Sequence, residues 1–492
     1  MVINSALFLF LFLPAFFSIY YLVNEKYKNI VLLLFSLLFY TWADKLFVFI
    51  FIFSSLFNYW CGKIINSGYK KLGLFLGILT NVSLLGFFKY FNFFLNIFNE
   101  LLFTFKINYR IYNLIPGLLL PLGISFYTFR AISYLVDVYN KKIEPGKNVI
   151  EFATYFTLFP LVIAGPIVRF RDINKQLEKK NISISRISEG IQRLIIGLAK
   201  KVIIAGTFSS IANQIFNSTV KDLSTAIAWI GIIAFTFEIY YDFSGYSDMA
   251  IGLGKMIGLD FPENFNYPYI SKSIREFWRR WHISLSSWLR DYLFLPIAYS
   301  LSRRFKNDKY FSIKTDNILY IIAIFITFIF CGLWHGAAIH FIAWGLYFSL
   351  FLIMEQIFWG KILKKLWSPL QYTYTLLVVI FGWVIFKSDS LQYALQYFKR
   401  MFSFSGGFEA LNSYLKFFTI TKESIFITIV AILFTTPAFT HLKLSLETIS
   451  SNSKILLLGI KSVVLILLFF IFIISLAYMA SNTYNPFIYF RF

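Results

Sequence analysis

Two histidines stand out as residues that could carry out acid–base chemistry in an otherwise apolar chain. The first, His335, lies in the run from Ile318 to Leu352, which contains 35 residues and no Asp, Glu, Lys or Arg. An ionisable group at membrane depth is costly and usually faces a water-filled cavity or a substrate path, so we predict a functional role for His335. The alternative is a neutral imidazole that hydrogen-bonds to backbone carbonyls at a helix break.

The second candidate, His282, lies in a segment that is rich in arginine and tryptophan. Within Ile274–Tyr292, six apolar residues recur at spacings of 4, 3, 4, 3 and 4, which predicts a single amphipathic helix along the membrane surface. On that helix His282 would lie close to the boundary between the apolar stripe and an arginine-bearing face, where it can face a polar cavity. The alternative is a histidine that lies at the membrane interface beside the tryptophans.

The run that contains His335 is too long to be one membrane-spanning helix. As a single helix its residues would measure about 52 Å, against a hydrocarbon core of about 30 Å. The segment Cys331–Gly336 would break the helix, because its glycines allow another backbone or a substrate to approach closely. We predict that a helix over Ile318–Trp334 ends there and brings His335 to the break. His340 lies on a different helical face and is predicted to be structural.

The two cysteines predict neither a disulfide nor a metal site. Cys61 and Cys331 are too few for a disulfide framework. Cys331 and His335 share a helix face, as metal ligands could, but no third or fourth ligand is evident in the sequence. We therefore expect no metal.

These residues belong to a chain with the composition of an integral membrane protein. Its 492 residues are 58% hydrophobic and 21% aromatic, and only 14% are charged, whereas soluble domains carry about 25% charged residues. A soluble globular enzyme and a disordered chain are therefore excluded. The apolar residues come in long runs rather than in the roughly 10-residue alternating pattern of lipid-facing strands, which favours helices over a β-barrel.

We predict an all-α polytopic membrane protein that forms one membrane domain over residues 1–492. Spans of about 20 residues would give about 11 to 13 transmembrane or re-entrant helices. The first run, Val2–Val23, has no basic segment before it and no clear cleavage site, so we expect a retained span rather than a signal peptide.

The net charge of +22 is concentrated in two segments. Arg169–Lys201 contains nine basic and three acidic residues, and Tyr269–Lys314 contains ten basic and three acidic residues. By the positive-inside rule both segments are assigned to the cytoplasm, where they would anchor the chain to anionic headgroups. The same field would attract a polyphosphate or acidic carrier-protein donor. Nucleic-acid binding is not expected, since the basic residues flank apolar spans.

Several motifs, in order along the chain, resemble the membrane-bound O-acyltransferase (MBOAT) family. They are Leu120–Phe129, Ala164–Ile167, Tyr241–Ala250, Phe277–Asp291 and Gly332–Gly336, within a core of about residues 120–355. The resemblance is closest to the bacterial branch of alginate and peptidoglycan O-acetyltransferases, and the C-terminal aromatic motif at 485–492 also resembles that branch. Two positions, Arg130 and Gly206, depart from the family pattern.

The resemblance implies a ring of helices around a thinned central funnel, with horizontal helices on the cytoplasmic side. It also implies that His335 and His282 are the two catalytic histidines. On this basis we expect acyl transfer from a cytoplasmic thioester, acetyl-CoA, to a hydroxyl reached from the outer side of the bacterial inner (plasma) membrane. His335 would act as general base, and no bound cofactor is expected.

The donor-binding residues are expected to lie close to the two histidines in sequence. Arginines near His282 would attract the CoA phosphates. His282, Trp334 or a nearby amide would orient the donor or stabilise the oxyanion. The predicted donor-binding residues are Arg275, Arg279, Arg280, Trp281 and Trp334.

A separate outer-side protein is expected to complete the transfer. Because no outer-side domain that could bind a polymer is evident in the chain, we expect a periplasmic or extracellular esterase-like transferase as partner. Tyr489, in the C-terminal motif, could carry the acetyl group between the two proteins as a phenolic ester, since a phenol with a pKa of about 10 is an activated leaving group. The alternative for Tyr489 is an aromatic anchor at the membrane interface.

Three other functions are compatible with parts of the sequence. A D-alanyl transferase of the teichoic acid type would share the core. A transporter or lipid flippase would suit the spans, the central histidine and the positive charge, but it predicts paired halves or charged residues buried in several spans. A polyprenyl-phosphate glycosyltransferase would favour paired outer carboxylates, whereas Asp242 and Asp248 are six residues apart and are better explained by structural hydrogen bonds at helix ends.

Overall fold

The computed structural model describes residues 2–107, 119–310, 313–403, 421–450 and 453–481. Helices make up nearly all of the secondary structure in these ranges. The α-helices are α1 (Leu13–Leu22), α2 (Lys28–Ala43), α3 (Val48–Asn66), α4 (Lys70–Leu85), α5 (Phe91–Thr104), α6 (Ile124–Tyr139), α7 (Val149–Thr157), α8 (Phe159–Val162), α9 (Phe170–Glu178), α10 (Ile184–Ala199), α11 (Gly206–Phe216), α12 (Thr225–Met256), α13 (Ile274–Arg280), α14 (Ile283–Leu289), α15 (Leu295–Ser302), α16 (Thr315–His335), α17 (Ile339–Met354), α18 (Gly360–Leu363), α19 (Ser368–Lys387), α20 (Leu391–Met401), α21 (Lys422–Phe434), α22 (Ala438–Ser450) and α23 (Lys454–Ser481).

Shorter elements join several of these helices. The π-helical segments are Phe8–Phe12, Gly86–Tyr90, Lys200–Ala205, Arg290–Phe294 and Glu355–Trp359. The 3₁₀-helical turns are Glu25–Tyr27, Val220–Asp222 and Pro268–Ile270. Two short strands, β1 (Lys309–Tyr310) and β2 (Ile313–Lys314), pair antiparallel with Lys309 opposite Lys314 and Tyr310 opposite Ile313.

Eight helical segments in the described ranges are long and apolar enough to cross a membrane. They are Val48–Asn66, Lys70–Thr104, Ile184–Phe216, Thr225–Met256, Thr315–His335, Ile339–Leu363, Ser368–Lys387 and Ile455–Ser481. A shorter apolar segment, Phe8–Leu22, precedes them. The all-α, multi-pass membrane architecture is therefore confirmed, whereas the count of 11 to 13 helices stays a prediction.

The chain divides into two compact units. The N-terminal unit comprises Met1–Ile191, Ala250–Pro262 and Gly336–Ala338, and the C-terminal unit comprises Gln192–Met249, Glu263–His335 and Ile339–Phe492. Both histidines that the sequence singles out belong to the C-terminal unit. The single membrane domain expected over the whole chain stays a prediction.

The N-terminal unit packs through aromatic side chains and one close backbone contact. The rings of Phe12 and Phe16 each lie 5.3 Å from the ring of Phe159. Gly123 has a φ of 71°, and a Cβ atom added there would lie 2.1 Å from the carbonyl oxygen of Val162. Only glycine fits this position, because the backbone at the start of α6 approaches the end of α8 so closely. This contact explains the glycine in the motif Leu120–Phe129.

In the C-terminal unit, α12 is joined to the chain before it by glycine contacts and ion pairs. A Cβ atom on Gly197 would lie 2.6 Å from the carbonyl oxygen of Gly245, so the two backbones touch. Asp242 pairs with Lys201, and Asp248 accepts charge-assisted hydrogen bonds at 2.7 to 3.0 Å. The donors to Asp248 are Arg193 and Lys200. Both carboxylates lie inside α12, so the interpretation that placed them at helix ends is wrong, although their structural role is as expected.

Candidate active site

The helix break at His335 occurs where the sequence predicts it. Helix α16 begins at Thr315 and ends at His335, and α17 begins at Ile339. The uncharged run is therefore two helices joined by a three-residue connection at 336–338. The first helix is 21 residues long, which corresponds to about 31 Å, and His335 is its last residue.

Two glycines let α16 and α17 pack with their backbones in direct contact. A Cβ atom on Gly332 would lie 2.2 Å from the carbonyl oxygen of Phe341, and one on Gly345 would lie 2.1 Å from that of Phe328. Neither oxygen belongs to a flexible side chain, so a larger residue at either glycine would force the helices apart. The expected close backbone approach beside His335 is confirmed at Gly332.

The imidazole of His335 is enclosed by aromatic rings. Its exposed fraction is 4%. The ring centres of Trp334 and Trp344 each lie 4.9 Å away, and that of Phe386 lies 5.2 Å away, all in edge-to-face orientation. These walls come from α16, α17 and α19. They hold the imidazole in an apolar pocket, where contacts with charge developing during a reaction are strong because the local dielectric is low.

The prediction of one amphipathic helix over Ile274–Tyr292 is wrong. Helix α13 ends at Arg280, Trp281 is extended, and α14 begins at Ile283. Between the helices, His282 has φ 42° and ψ 55°, a left-handed conformation that is uncommon for residues other than glycine, asparagine and aspartate. A non-glycine residue held there at a functional site is a recognised way in which proteins store local strain.

A nearby loop supplies the hydrogen bonds that replace helical ones at this kink. The backbone N–H of Asn266 donates to the carbonyl oxygen of Arg280 at 3.0 Å, and the N–H of Ile283 donates to the carbonyl oxygen of Asn264 at 2.9 Å. Apolar periodicity along Ile274–Tyr292 cannot reveal these partners, because they lie elsewhere in the chain. The loop therefore breaks a helix that the local pattern favours.

The side chain of Asn264 determines which nitrogen of His282 carries the proton. Its Oδ1 atom accepts hydrogen bonds from the backbone N–H of Ser284 at 3.2 Å and from the Ser284 hydroxyl at 2.8 Å, while its Nδ2 donates to Ser247 Oγ at 3.1 Å. A backbone N–H can only donate, so the amide orientation is defined. His282 Nδ1 lies 3.0 Å from the same Oδ1 and must therefore be the protonated nitrogen.

The other ring nitrogen of His282 is left as a hydrogen-bond acceptor. Nε2 is buried and has no hydrogen-bond partner in the described part of the chain. Burial lowers the pKa of His282 to about 3, because a charged imidazolium would be poorly solvated there. The imidazole is therefore neutral near pH 7 and presents a lone pair at Nε2.

One indole contacts both imidazoles. The ring of Trp334 lies 6.0 Å from the ring of His282 and 4.9 Å from that of His335, measured between centroids. Phe243 also packs edge-to-face on His282 at 4.6 Å. Residues far apart in sequence are thus brought into one buried cluster, which we call the histidine cluster: His282, Trp334, His335 and Asn264.

The predicted donor-binding residues occupy different surroundings. Trp281 is buried within an aromatic cluster, with its ring 4.9 Å from Trp383 and 5.0 Å from Phe265. Arg279 is exposed. Arg280 donates to Glu276 at 2.9 Å and to the carbonyl oxygen of Asn266 at 3.1 Å. Their role in donor binding stays a prediction.

Arg275 lines a cavity of about 600 Å³ in the C-terminal unit. We call it the basic cavity, because its lining contains four cationic and two anionic side chains. They are Lys272, Arg275, Lys361 and Lys364, with Glu276 and Glu355. The guanidinium of Arg275 donates to Gln356 and lies 5.7 Å from the ring centre of Tyr320.

Two further predictions concern Tyr489 and metals. Tyr489, with the motif at 485–492, lies outside the described residues, so its relay role stays a prediction. Among the residues that the structure describes, no three His, Cys, Asp or Glu side chains are grouped so that they could hold a metal ion. Cys61 and Cys331 are both buried as free thiols.

Sequence reasoning missed Asn264, the residue that orients His282. The sequence feature that could have pointed to Asn264 is the loop Phe261–Tyr269, which is rich in proline and asparagine. This loop lies between the long helix α12 and the basic segment Tyr269–Lys314. Such loops supply backbone and amide partners to their neighbours. The sequence does not say which neighbour this amide contacts.

The fold and the site define a polytopic helical membrane protein with two buried histidines that contact one indole. The model of the family described as "MBOAT, membrane-bound O-acyltransferase family" matches residues 145–398, just over half of the chain. The chain therefore belongs to the membrane-bound O-acyltransferase family and is an acyltransferase. The family resemblance inferred from the motifs is confirmed, and the transporter interpretation is not supported.

Curated relatives share most of the chain. The Pseudomonas aeruginosa protein described as "Probable alginate O-acetylase AlgI" is 41% identical over 82% of this chain and 75% of its own length. A Pseudomonas putida protein with the same description is 37% identical, with 100% of both chains covered. The "Peptidoglycan O-acetyltransferase" of Helicobacter pylori is 33% identical over 82% of this chain and 80% of that protein.

The matched range contains the whole histidine cluster. All four of its residues fall between 145 and 398, as do the six charged residues of the basic cavity. The range that the family model matches therefore contains both the histidine cluster and the charged lining of the basic cavity.

Proposed function

We propose that the chain transfers an acetyl group from cytoplasmic acetyl-CoA to hydroxyls of an extracytoplasmic polysaccharide or peptidoglycan at the bacterial inner membrane. The observation that carries this proposal is the histidine cluster, in which two buried imidazoles contact the same indole. The choice of acetyl over D-alanyl is supported by relatives described as alginate O-acetylases and a peptidoglycan O-acetyltransferase.

His335 is the general base in this proposal. The oxygen of the acceptor hydroxyl attacks the carbonyl carbon of the acetyl-CoA thioester, while the imidazole of His335 takes the hydroxyl proton. When the tetrahedral intermediate collapses, the C–S bond breaks and the imidazolium returns the proton to the departing thiolate. The products are an acetate ester and CoA. A base positioned in this way contributes about 10²- to 10⁴-fold to the rate.

His282 supports the reaction as a hydrogen-bond acceptor. Because Nδ1 donates to Asn264 and the ring is neutral, Nε2 cannot donate a hydrogen bond to an oxyanion. It can accept one from an amide N–H of the donor's pantetheine arm or from the incoming hydroxyl. We therefore assign substrate orientation to His282 and leave oxyanion stabilisation to an N–H donor such as the indole of Trp334, whose ring lies 6.0 Å from that of His282.

A partner protein completes the pathway in this proposal. CoA is charged and does not cross lipid, whereas envelope polysaccharides lie outside, so the acetyl group must be handed over across the membrane domain. An outer-side esterase-like transferase would receive it, with Tyr489 as a carrier through its phenolic ester. Mass spectrometry of the C-terminal peptide during turnover tests the carrier step. We expect an acetyl adduct in the wild type and none in Tyr489→Phe, and transfer that is unaffected by this substitution would exclude the carrier role.

The acyl group and acceptor can be tested in cells that lack the chain. Envelope polysaccharide is isolated from the deletion strain and from strains complemented with wild type or His335→Gln, and ester-linked groups are released by mild alkali. We expect acetate to fall in the deletion, to return with the wild type and to stay low with His335→Gln. Loss of D-alanine with unchanged acetate would instead assign the D-alanyl transferase function.

A further inference from the structure

The basic cavity has an excess of positive charge that the protein does not neutralise internally. Both of its carboxylates are already engaged. Glu355 accepts the backbone N–H groups of Ile274 at 2.6 Å and Arg275 at 3.0 Å, and the hydroxyl of Tyr374 at 3.2 Å. Glu276 pairs with Arg280, which does not line the cavity. These contacts hold α13 in place and leave the cavity cationic.

Two of the four cations of the cavity have no hydrogen-bond or ion-pair partner among the residues that the structure describes. Lys361 and Lys364 make no side-chain hydrogen bond or ion pair among the described residues, and both are exposed. Lys272 donates to the neutral hydroxyl of Ser368 at 3.1 Å, and Arg275 donates to a neutral amide. Glu355 interacts electrostatically with Arg275, but no carboxylate among the described residues forms an ion pair with any of the four cations.

The chemistry of this lining fits a phosphate group. Lysine ammonium groups act as compact charges that bind phosphate from several directions, and an arginine adds a planar fork. A volume of about 600 Å³ is large enough for a phosphate with part of the molecule that carries it, and it falls within the ordinary range of ligand sites.

Apolar side chains around the basic cavity indicate that it opens beside lipid. Lys361 lies at the end of the candidate span Ile339–Leu363, and Lys364 lies in the short connection to the next candidate span, Ser368–Lys387. Close to these lysines in the chain, Trp367 is 73% exposed, and Phe358 and Ile362 are also exposed. Exposed tryptophan beside lysine is typical of the interfacial layer, where anionic headgroups are found.

We propose that the basic cavity is a phosphate-binding site in which Lys361 and Lys364 are the principal ligands and Lys272 and Arg275 are the supporting ones. The phosphate can come from the headgroup of an anionic lipid or from a soluble CoA donor. The second source depends on the proposed acetyl-CoA chemistry, and the first does not.

The test measures binding without turnover. Purified full-length protein in neutral-lipid nanodiscs is titrated with radiolabelled CoA by equilibrium dialysis, and phosphatidylglycerol binding in detergent is counted by native mass spectrometry. The variant is Lys361→Gln/Lys364→Gln. Lys365→Gln is the matched control, because Lys365 is an exposed neighbour that does not line the cavity. We expect the double variant to lose at least tenfold in affinity for one phosphate ligand, and the control to stay within about twofold.

The pattern of losses separates the sources. Loss confined to CoA assigns a soluble donor, and loss confined to phosphatidylglycerol assigns a lipid headgroup. Equal losses in the double variant and in Lys365→Gln, or affinity for both ligands within twofold of wild type, would overturn the site. If the wild type binds phosphatidylglycerol through these lysines but neither binds CoA nor transfers acetyl groups, the phosphate site stands and the proposed function fails.

Discussion

The two histidines of the cluster lie in different surroundings. His335 ends a long apolar helix and is surrounded by three aromatic rings, in a pocket set by close packing of α16 on α17. His282 lies in a left-handed kink, and a side-chain amide fixes its tautomer. Aromatic rings surround both imidazoles, and the second also donates a hydrogen bond to the amide oxygen of Asn264 in a loop.

The different surroundings of the two imidazoles indicate that substitutions of His335 and His282 will have different effects. They also indicate different chemical roles for the two rings. The apolar pocket of His335 strengthens contacts with charge that develops during a reaction, which suits a general base. A ring whose Nδ1–H is committed to Asn264 keeps one tautomer, which suits a fixed acceptor at Nε2. The comparison can be tested by substitutions that remove each imidazole but preserve the pocket around His335 and the backbone kink at His282.

The largest effect is expected from His335→Gln. Loss of the general base should reduce acetyl transfer by about 10²- to 10⁴-fold, measured as acetate ester formed by purified protein with acetyl-CoA and its acceptor. His340→Gln is the control, since His340 lies in the same apolar run. Transfer by His335→Gln at the wild-type rate, or an equal loss in both variants, would contradict the assignment.

A smaller loss, of about 10- to 100-fold, is expected from His282→Asn. Asparagine tolerates the left-handed backbone and places an N–H donor near the position of Nδ1, but it lacks Nε2. The fold should therefore survive while the acceptor is removed. Binding of CoA and the transfer rate are measured on the same preparation. A variant with wild-type transfer would show that Nε2 takes no part.

Replacement of Asn264 separates positioning from chemistry. Asn264→Ala removes the acceptor shared by His282 and Ser284, and we expect about a tenfold loss of transfer. Asn264→Asp retains an acceptor and adds a negative charge, which should raise the pKa of His282 and make transfer fall more steeply at acidic pH. A merely structural role for Asn264 would leave the pH profile of Asn264→Asp identical to that of the wild type.

The smallest effect concerns stability against pH. The pKa of His282 is about 3 in the folded chain, against an ordinary value of about 6.5. Above pH 6.5 the imidazole of His282 is neutral in both the folded and the unfolded chain. Below pH 6.5 the unfolded chain binds a proton at this imidazole, whereas the folded chain does not. The free energy of unfolding should therefore decrease as the pH is lowered, by on the order of 2 kcal/mol between pH 6.5 and 5.

Thermal unfolding in detergent at pH 7.5 and 5.0 measures this dependence. The decrease in Tm on acidification should be smaller for His282→Asn, which has no titrating imidazole at this position. An identical decrease in both proteins would show that the buried ring does not resist protonation.

Sequence patterns predicted the His335 side of the cluster better than the His282 side. The break after His335 could be predicted because a 35-residue uncharged run cannot be one span, and the glycine at 332 marks the contact between helices. At His282 the apolar spacing predicted a continuous helix. That prediction failed because backbone hydrogen bonds of Asn266 to Arg280 and of Ile283 to Asn264 replace helical ones at the kink.

The sequence by itself predicted the membrane class, the family and the break at His335, and it singled out both histidines as candidates. The membrane class, the family and the break follow from local composition and from motifs. His335 could be singled out because an ionisable residue is rare in an apolar run. Only the tertiary structure decided the kink at His282, its partner Asn264, the acceptor at Nε2 and the grouping of Lys272 with Lys361 and Lys364. Each of these depends on contacts between distant segments, and periodicity along one segment carries no information about which other segment will supply its hydrogen bonds.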